Sequence, residues 1–491
     1  MPDEEVLMKK STNSIQDVLI LSNGPGEVST WVRPVVRSLR KVHKQKEQKI
    51  HDSHDIGHGI SHPIGTPDNP PQLNLRISVV LSPCSHAMGT ERRVVAGFPE
   101  VDRVQGPEHF WPFLLGGKTA EKWDWSDRGV VIFLGGDQFF SVVIGRRLGY
   151  RILTYAEREV RWLSWIDGAA IAHPTLTATG QPPSQVQSQA QSHSPKIRWV
   201  GDLMVDAAQT PLPNALTSQR LLQLTQAPNS EETLAPQSSS APIQWVGLLP
   251  GSKAAKLMQG VPLVLATAEE LVRSRPQVRC IIPVAPTLTL EELARYGDRI
   301  ANPLLEKLGN IAARLVIPSI PFPNALPYLE TEKGVKIYLW QRSPAYDLLQ
   351  QCTVCLTTVG ANTAELAALA TPMVVILPTQ QLDAMRAWDG LPGLLAQLPG
   401  LGPLIARLIN QQALKRIGLL AWPNIWAQDA LVPELVGTLT PSDLVKALLP
   451  WLCDSNQNQN LRDRLRQVCG APGAAQKVAQ WTYELLRNDQ G

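Results

Sequence analysis

Apolar residues along this chain gather in short Val/Ile/Leu-rich runs, separated by stretches in which they recur at helical spacing. In the first half the runs are Asp17–Leu21, Ile77–Leu81, Val130–Leu134, Arg151–Tyr155, Gly168–Ala172 and Ile197–Val200. In the second half they are Gln244–Leu249, Val278–Val284, Arg314–Pro318, Val335–Trp340, Thr353–Thr357 and Met373–Leu377. Runs that lack polar alternation suit strands covered on both faces, and their alternation with helical patterns predicts βαβ units and parallel sheets. Two such series predict an α/β chain of two Rossmann-like domains facing one another. Gly473–Arg487 adds an amphipathic terminal helix.

Three polar segments interrupt the order: Lys41–Gln72, Thr179–Lys196 and Gln226–Pro242. Rich in Pro, Gln, Ser and His, they bury too little apolar surface to offset chain ordering, and are expected as surface insertions or linkers. The expected organisation is an N-terminal domain over 1–225 with insertions near 41–72 and 179–196. A linker over 226–242, a C-terminal domain over 243–440 and a helical segment over 441–491 follow it. His51, His54, His58 and His62 have the spacing of ligands on one helix face, but Gly57, Gly59 and Pro63 disfavour a helix there. No metal site is expected.

Composition narrows the classes. At 491 residues the chain exceeds one core, and 44% hydrophobic with 18% charged residues describes a globular protein. A formal charge of +3 without a Lys/Arg block gives nucleic acid no purchase. Six cysteines are too few for a disulfide scaffold, and the Cys352/Cys355 pair lies in a strand-like run with no second pair to complete a zinc site. The first residues lack the pattern of a secretory leader, and DVLIL is too short to span a bilayer. A cytoplasmic protein is expected, with any membrane contact peripheral and on the inner face.

In doubly wound sheets ligands bind beyond the carboxyl ends of the strands, and four segments occupy such positions. SNGPGEVST follows the first run, with Gly24, Pro25 and Gly26 expected as a tight turn, Ser29 or Thr30 as a helix cap, and Glu27 as a carboxylate at the active edge. It is not a GxGxxG fingerprint. LLPGSKAAK turns after the first run of the second series and carries Lys253. In TTVGANTAELA a strand ends at Thr358, a loop of small residues follows, and a helix begins near Asn362 with Glu365 one turn in. Such a helix start suits a phosphate, and the early Glu suits ribose hydroxyls. GLLAWPNIWAQDALVPELV reads as a loop followed by a short helix, with Asn424, Gln428, Asp429 and Glu434 as polar groups.

In this order the segments resemble lipid A disaccharide synthase, a glycosyltransferase family of two-Rossmann GT-B architecture. LLPGSK is similar to the family's LLPGSR, with Lys253 at its Arg. VGANTAELA followed by PMVV is similar to its small-residue loop, early Glu and strand. WPNIWAQDALVPELV resembles its LPN turn, and VGDLMVD (Val200–Asp206) its IGH-x-x-x-D segment. The first half departs further. FLGGDQFFS stands where the family has an IDAPDFN-like segment, which puts Gly135 at the Asp needed for activity and Asp137 two positions on. SNGPGEVST replaces AGExSGD.

The resemblance implies transfer of a sugar, of N-acetylglucosamine type, from a UDP-sugar to a hydroxyl of a membrane lipid or lipid-linked acceptor that need not be the lipid A precursor. The UDP-sugar is a substrate and no cofactor is implied; a homodimer is compatible with the family. Asp137 is the first choice for the base, with Glu27 and Glu157 in reserve. Gly251, Ser252, Lys253, Gly360, Ala361, Asn362, Thr363, Glu365, Asn424 and Gln428 are expected to hold the nucleotide sugar. A membrane-bound acceptor accounts for two apolar stretches, His109–Trp125 and Gly390–Ile409, as readily as core packing does. Two other readings stay open: a UDP-N-acetylglucosamine epimerase-like enzyme, and a noncatalytic nucleotide-sugar- or lipid-binding protein.

Overall fold

The computed structural model describes residues 15–55, 74–84, 87, 89, 91–157, 159–173, 196–209, 216–225, 242–318, 325–378 and 418–487. The chain divides into two compact units, residues 1–210 with 470–491, and residues 211–469.

Seven parallel strands build the first unit: β1 (Ile15–Ser22), β2 (Asn74–Leu81), β3 (Arg103–Gln105), β4 (Gly129–Phe133), β5 (Arg151–Ala156), β6 (Gly168–Ile171) and β7 (Ile197–Trp199). Their order, β3-β2-β1-β4-β5-β6-β7, is that of a Rossmann sheet extended by one strand. Along β1, Val18 and Ile20 enter one core while Leu19 and Leu21 enter the other. The first core is closed by Val35, Val36 and Leu39 of the helix Arg33–Asp55 and by Val478 and Trp481 of the helix Ala474–Arg487. Phe110, Phe113 and Ile144 close the second. Burial on both faces is why the strands read as unbroken apolar runs.

The second unit holds β8 (Gln244–Leu249), β9 (Val278–Pro283), β10 (Ala313–Val316), β11 (Tyr328–Thr331), β12 (Lys336–Trp340), β13 (Val354–Thr358), β14 (Met373–Pro378) and β15 (Glu434–Gly437). The order is β10-β11-β12-β9-β8-β13-β14-β15. From β12 to β15 it repeats the Rossmann order, so each unit is Rossmann-like.

Several sequence expectations are corrected here. The helix that begins at Arg33 runs to Asp55, through the first part of the segment expected as an insertion. Its inward face, which includes Val42, gives that polar stretch a packed side. The rest of that insertion with His58 and His62, most of the other two polar segments, and Gly390–Ile409 lie outside the described residues. The Arg314–Pro318 run is an antiparallel edge strand, because β10, β11 and β12 are joined by antiparallel pairing that short connections allow. The strands β3, β11 and β15 carry too few apolar residues to show in the pattern. Gly24-Pro25-Gly26 does not form a free turn: helix starts at Pro25, passes through a π-helical turn at Val28–Val32, and continues into Arg33–Asp55. Thr30 therefore caps nothing and donates its hydroxyl to the Gly26 carbonyl at 2.8 Å.

The terminal helix Ala474–Arg487 belongs with the first unit rather than with a separate helical segment. Asp206 holds it there. Its carboxylate accepts from the Gly473 and Ala475 amides, both at 2.5 Å, at the helix start. Trp481 packs where a side chain at Gly168 would stand, its ring atom 2.5 Å from that position. The last Asp of the VGDLMVD segment thus works as a remote helix cap. Asp206→Ala is expected to lower the stability of the first unit by about 1–2 kcal/mol and to speed proteolysis near residue 470. An unchanged denaturation curve and digestion pattern would show that the cap contributes nothing.

Candidate functional site

In each Rossmann sheet the strand order reverses between its first and fourth strands, and the loops leaving those two strands flank the place where ligands bind. In the second unit these are the loops after β8 and β13, which pair with each other. The first is Pro250-Gly251-Ser252-Lys253. Ser252 and Lys253 are exposed, and Lys253 is the N-cap residue of the helix Ala254–Ser274 with no side-chain cap bond. Gly251 has φ +107°, and a Cβ there would sit 2.8 Å from the Lys256 Cβ. The Lys256 stem therefore lies against the glycine. Its ammonium crosses to the second loop and donates to the Val359 carbonyl at 2.8 Å. Partial loss of water, then the nearby charge of Lys253, holds the Lys256 pKa below its ordinary value.

The second loop is Val359-Gly360-Ala361, leading into the helix Asn362–Ala368. At Gly360 a Cβ would come within 3.4 Å of the Lys256 Nζ. Thr363 donates its hydroxyl to the Gly360 carbonyl at 2.9 Å and accepts from the Trp422 amide at 3.1 Å. One turn into the helix, burial alone pushes the Glu365 carboxyl up to about 7. Tyr346 lies within electrostatic reach, since its hydroxyl is pushed up first by burial and then by the Glu365 charge. A carboxyl whose proton is released near neutral pH is a feature of working sites.

The third segment has its expected loop, at 418–421, followed by the short helix Trp422–Ala427, and then adds the strand β15. Asn424 is fully buried, and its amide is consumed internally. It donates to the Val432 carbonyl at 2.9 Å and to Glu434 at 2.7 Å, and accepts from the Val432 amide at 2.8 Å. Glu434 also accepts from the Leu420 and Ala421 amides. Asn424 therefore has nothing left for a ligand: it stiffens the loop whose Trp422 amide supports Thr363. Gln428 ends the short helix in left-handed conformation with its side chain exposed. The Cys352 and Cys355 thiols are buried under Gly247, where a Cβ would meet Cys355 Sγ at 2.5 Å.

In the first unit the switch lies between β1 and β4, which pair directly. Gly135, which the resemblance aligns with a required Asp, has φ +142°, and a Cβ there would meet Asn23 Oδ1 at 2.8 Å and Glu27 Cγ at 3.1 Å. The space for a side chain at 135 is already taken by Asn23 and Glu27. At Gly136 a Cβ would meet the Ser82 hydroxyl at 2.7 Å. Loops from β1, β2 and β4 thus bring Asn23, Glu27 and Ser82 around two bare glycines. Asn23 Oδ1 is buried without a hydrogen-bond partner among the described residues. Asp137 is exposed and accepts from the Phe139 amide at 2.9 Å as the N-cap of the helix Gln138–Leu148. Glu157 follows β5, one strand beyond β4, half-buried and close enough to raise the Tyr155 hydroxyl.

Of the expected site residues, the structure brings Gly251, Gly360, Ala361, Thr363 and Glu365 to one edge of the second unit and Glu27 to the matching edge of the first. Sequence reasoning passed over Lys256, Asn23 and Ser82. Lys256 had a faint signal in LLPGSKAAK, three residues after Lys253, but nothing in the spacing says that its stem crosses Gly251. Asn23 and Ser82 had none.

Glu365 gives a pH prediction with a definite sign. Its carboxyl is raised on folding, so its ionisation costs stability progressively as pH rises from near 4.5 towards about 7, and the full cost persists above that. Glu365→Gln is expected to raise the melting temperature at pH 8 and to leave it nearly unchanged at pH 4.5. An equal shift at both values would exclude the buried carboxyl as the cause.

No protein-family model matches the chain. The lipid-A-disaccharide synthase of Nitrosococcus oceani is 23% identical over 248 residues, covering 50% of this chain and 49% of that protein. The lipid-A-disaccharide synthase of Geobacter sulfurreducens is 26% identical over 245 residues, 49% of each. The chain spans about half the length of the curated relatives it matches. Among solved structures, UDP-GlcNAc 2-epimerase from Neisseria meningitidis bound to UDP-GlcNAc aligns with TM-score 0.45 and 12% identity over 96% of this chain and 100% of that one. By sequence, the chain is a divergent relative of the lipid-A-disaccharide synthases.

Proposed function

We propose that the protein transfers a sugar of N-acetylglucosamine type from a UDP-sugar to a hydroxyl of a lipid or lipid-linked acceptor at a membrane surface. The observation that carries this reading is the edge of the second unit, where Lys256 meets Val359 and Gly360 at the strand switch and Glu365, its carboxyl raised to about 7, lies one turn into the helix that follows. In this reading Glu365 accepts from the ribose hydroxyls, and the amides of Gly360–Thr363 with the lysine charge face the diphosphate. The relatives' own name supports both the reaction type and the lipid nature of the acceptor.

Glu27 is the base in this scheme. It fills the space beside Gly135, while one Asp137 oxygen is spent on capping a helix. As the acceptor oxygen bonds to the anomeric carbon, the bond from that carbon to UDP breaks. The hydroxyl proton passes to Glu27 and the electron pair leaves with the diphosphate.

Surface composition supports a lipid-bound acceptor. The His109–Trp125 stretch splits its roles: Phe110 and Phe113 are core, while Trp111 is 51% and Leu115 72% exposed. Trp111 meets Phe140, and Phe139 meets Trp162, which in turn meets Trp165, with Arg146 4.1 Å over the Trp165 ring. Two groups of aromatics with exposed members, one of them edged by Arg146, suit a bilayer interface. Among the described residues no helix is long and apolar enough to cross a membrane.

The test incubates the full chain with labelled UDP-sugars and vesicles of total membrane lipid. Label in the lipid fraction is expected; free sugar products would replace the transferase with epimerase-type chemistry, and UDP binding without turnover would leave a binding protein. Glu27→Gln is expected to lower kcat by about a hundredfold or more with UDP affinity unchanged. Asp137→Asn, which preserves a good cap, should stay within about threefold of the parent. A fully active Glu27→Gln enzyme would remove that residue from the reaction.

A further inference from the structure

The loops after β8 and β13 of the second unit are joined by one cation, and it is not the one that the sequence singles out. Lys253 and Lys256 are both exposed, and Lys253 makes no side-chain cap bond to the helix it precedes. Lys256 is held. Its stem lies over Gly251, its ammonium donates to the Val359 carbonyl at 2.8 Å, and the missing side chain of Gly360 leaves the Nζ open towards the start of the helix Asn362–Ala368. Of the three donors of an ammonium, one is spent on Val359, so two remain for an anion that enters over Gly360. A side chain at 360 would narrow that approach. A second lysine within electrostatic reach makes an arriving anion more welcome, since it relieves repulsion between the two cations.

We propose that Lys256, rather than Lys253, is the residue that binds the terminal phosphate of a nucleoside diphosphate at this site, and that its bond to Val359 fixes the two loops at the spacing the diphosphate needs. The inference rests on the UDP-sugar reading above and assigns the diphosphate contact within it. In the transfer step the same ammonium faces the oxygen that gains negative charge as the sugar departs.

Calorimetric titration of the full chain with UDP and with UMP at pH 7 tests it. Lys256→Met and Lys256→Gln should each weaken UDP by about tenfold or more, as expected for loss of a charge-assisted hydrogen bond. UMP should change by less than about threefold, because the contact is to the phosphate it lacks. Lys256→Arg should retain most of the UDP affinity and Lys253→Met should lose little, with circular dichroism and melting temperature reporting that each variant is folded. UDP affinity unchanged in both neutral variants, a loss that falls on Lys253→Met instead, or equal losses for UDP and UMP would each overturn the assignment. If the parent protein itself binds no UDP, the nucleotide reading fails first and this inference with it.

Discussion

A strand covered on both faces has no side chain to spare along its length. In both units the central strands are buried above and below, as the division of β1 between two cores and the unbroken burial along β13 show. Chemistry is therefore confined to the loops at the strand ends, and the reversal of strand order inside each sheet selects two of them. The β1 and β4 loops in the first unit, and the β8 and β13 loops in the second, carry nearly every polar group discussed above. The repeated Rossmann order is the reason that two unlike sets of residues occupy equivalent positions.

Charge at the edge of the second unit is arranged against stability. Burial keeps Glu365 largely from ionising below about 7, and Lys256 is held with its pKa depressed beside Lys253. Neither condition serves folding. Both persist because the backbone around them is overdetermined: Asn424 and Glu434 lock the Leu420–Val432 loop, and its Trp422 amide braces Thr363 against Gly360. A ligand that offers hydroxyls to the carboxyl and phosphate to the ammonium relieves both strains, which is how preorganised sites gain from binding.

At the edge of the first unit the same logic appears as an exchange of positions. The resemblance to the lipid-A-disaccharide synthases places Gly135 at an expected carboxylate, and the structure fills the adjoining volume with Glu27 from the neighbouring loop. A carboxylate delivered from β1 reaches the space that one delivered from β4 would have reached, since the two strands are paired. Asp206 shows the converse case. It matches a motif position, yet its oxygens are taken up by the start of the terminal helix.

The sequence by itself determined the two-fold series of buried strands, the loop and helix after Thr358 and the placement of Glu365 one turn in, because periodicity and small-residue loops are local properties. It could not show β3, β11 or β15, whose few apolar residues leave no pattern, nor the helix through a polar stretch that packing supports on one side. Only the tertiary structure decided that Asn424 is internal, that Asp137 is a cap, that Glu27 stands beside Gly135, and that Lys256 spans two loops. The last two depend on which loops the sheet order brings side by side, while the Asp137 and Asn424 bonds are short-range and set by how the local backbone folds. Hydrogen-bond partners hundreds or dozens of residues apart leave no mark on the spacing of a chain, so their assignment had to wait for the fold.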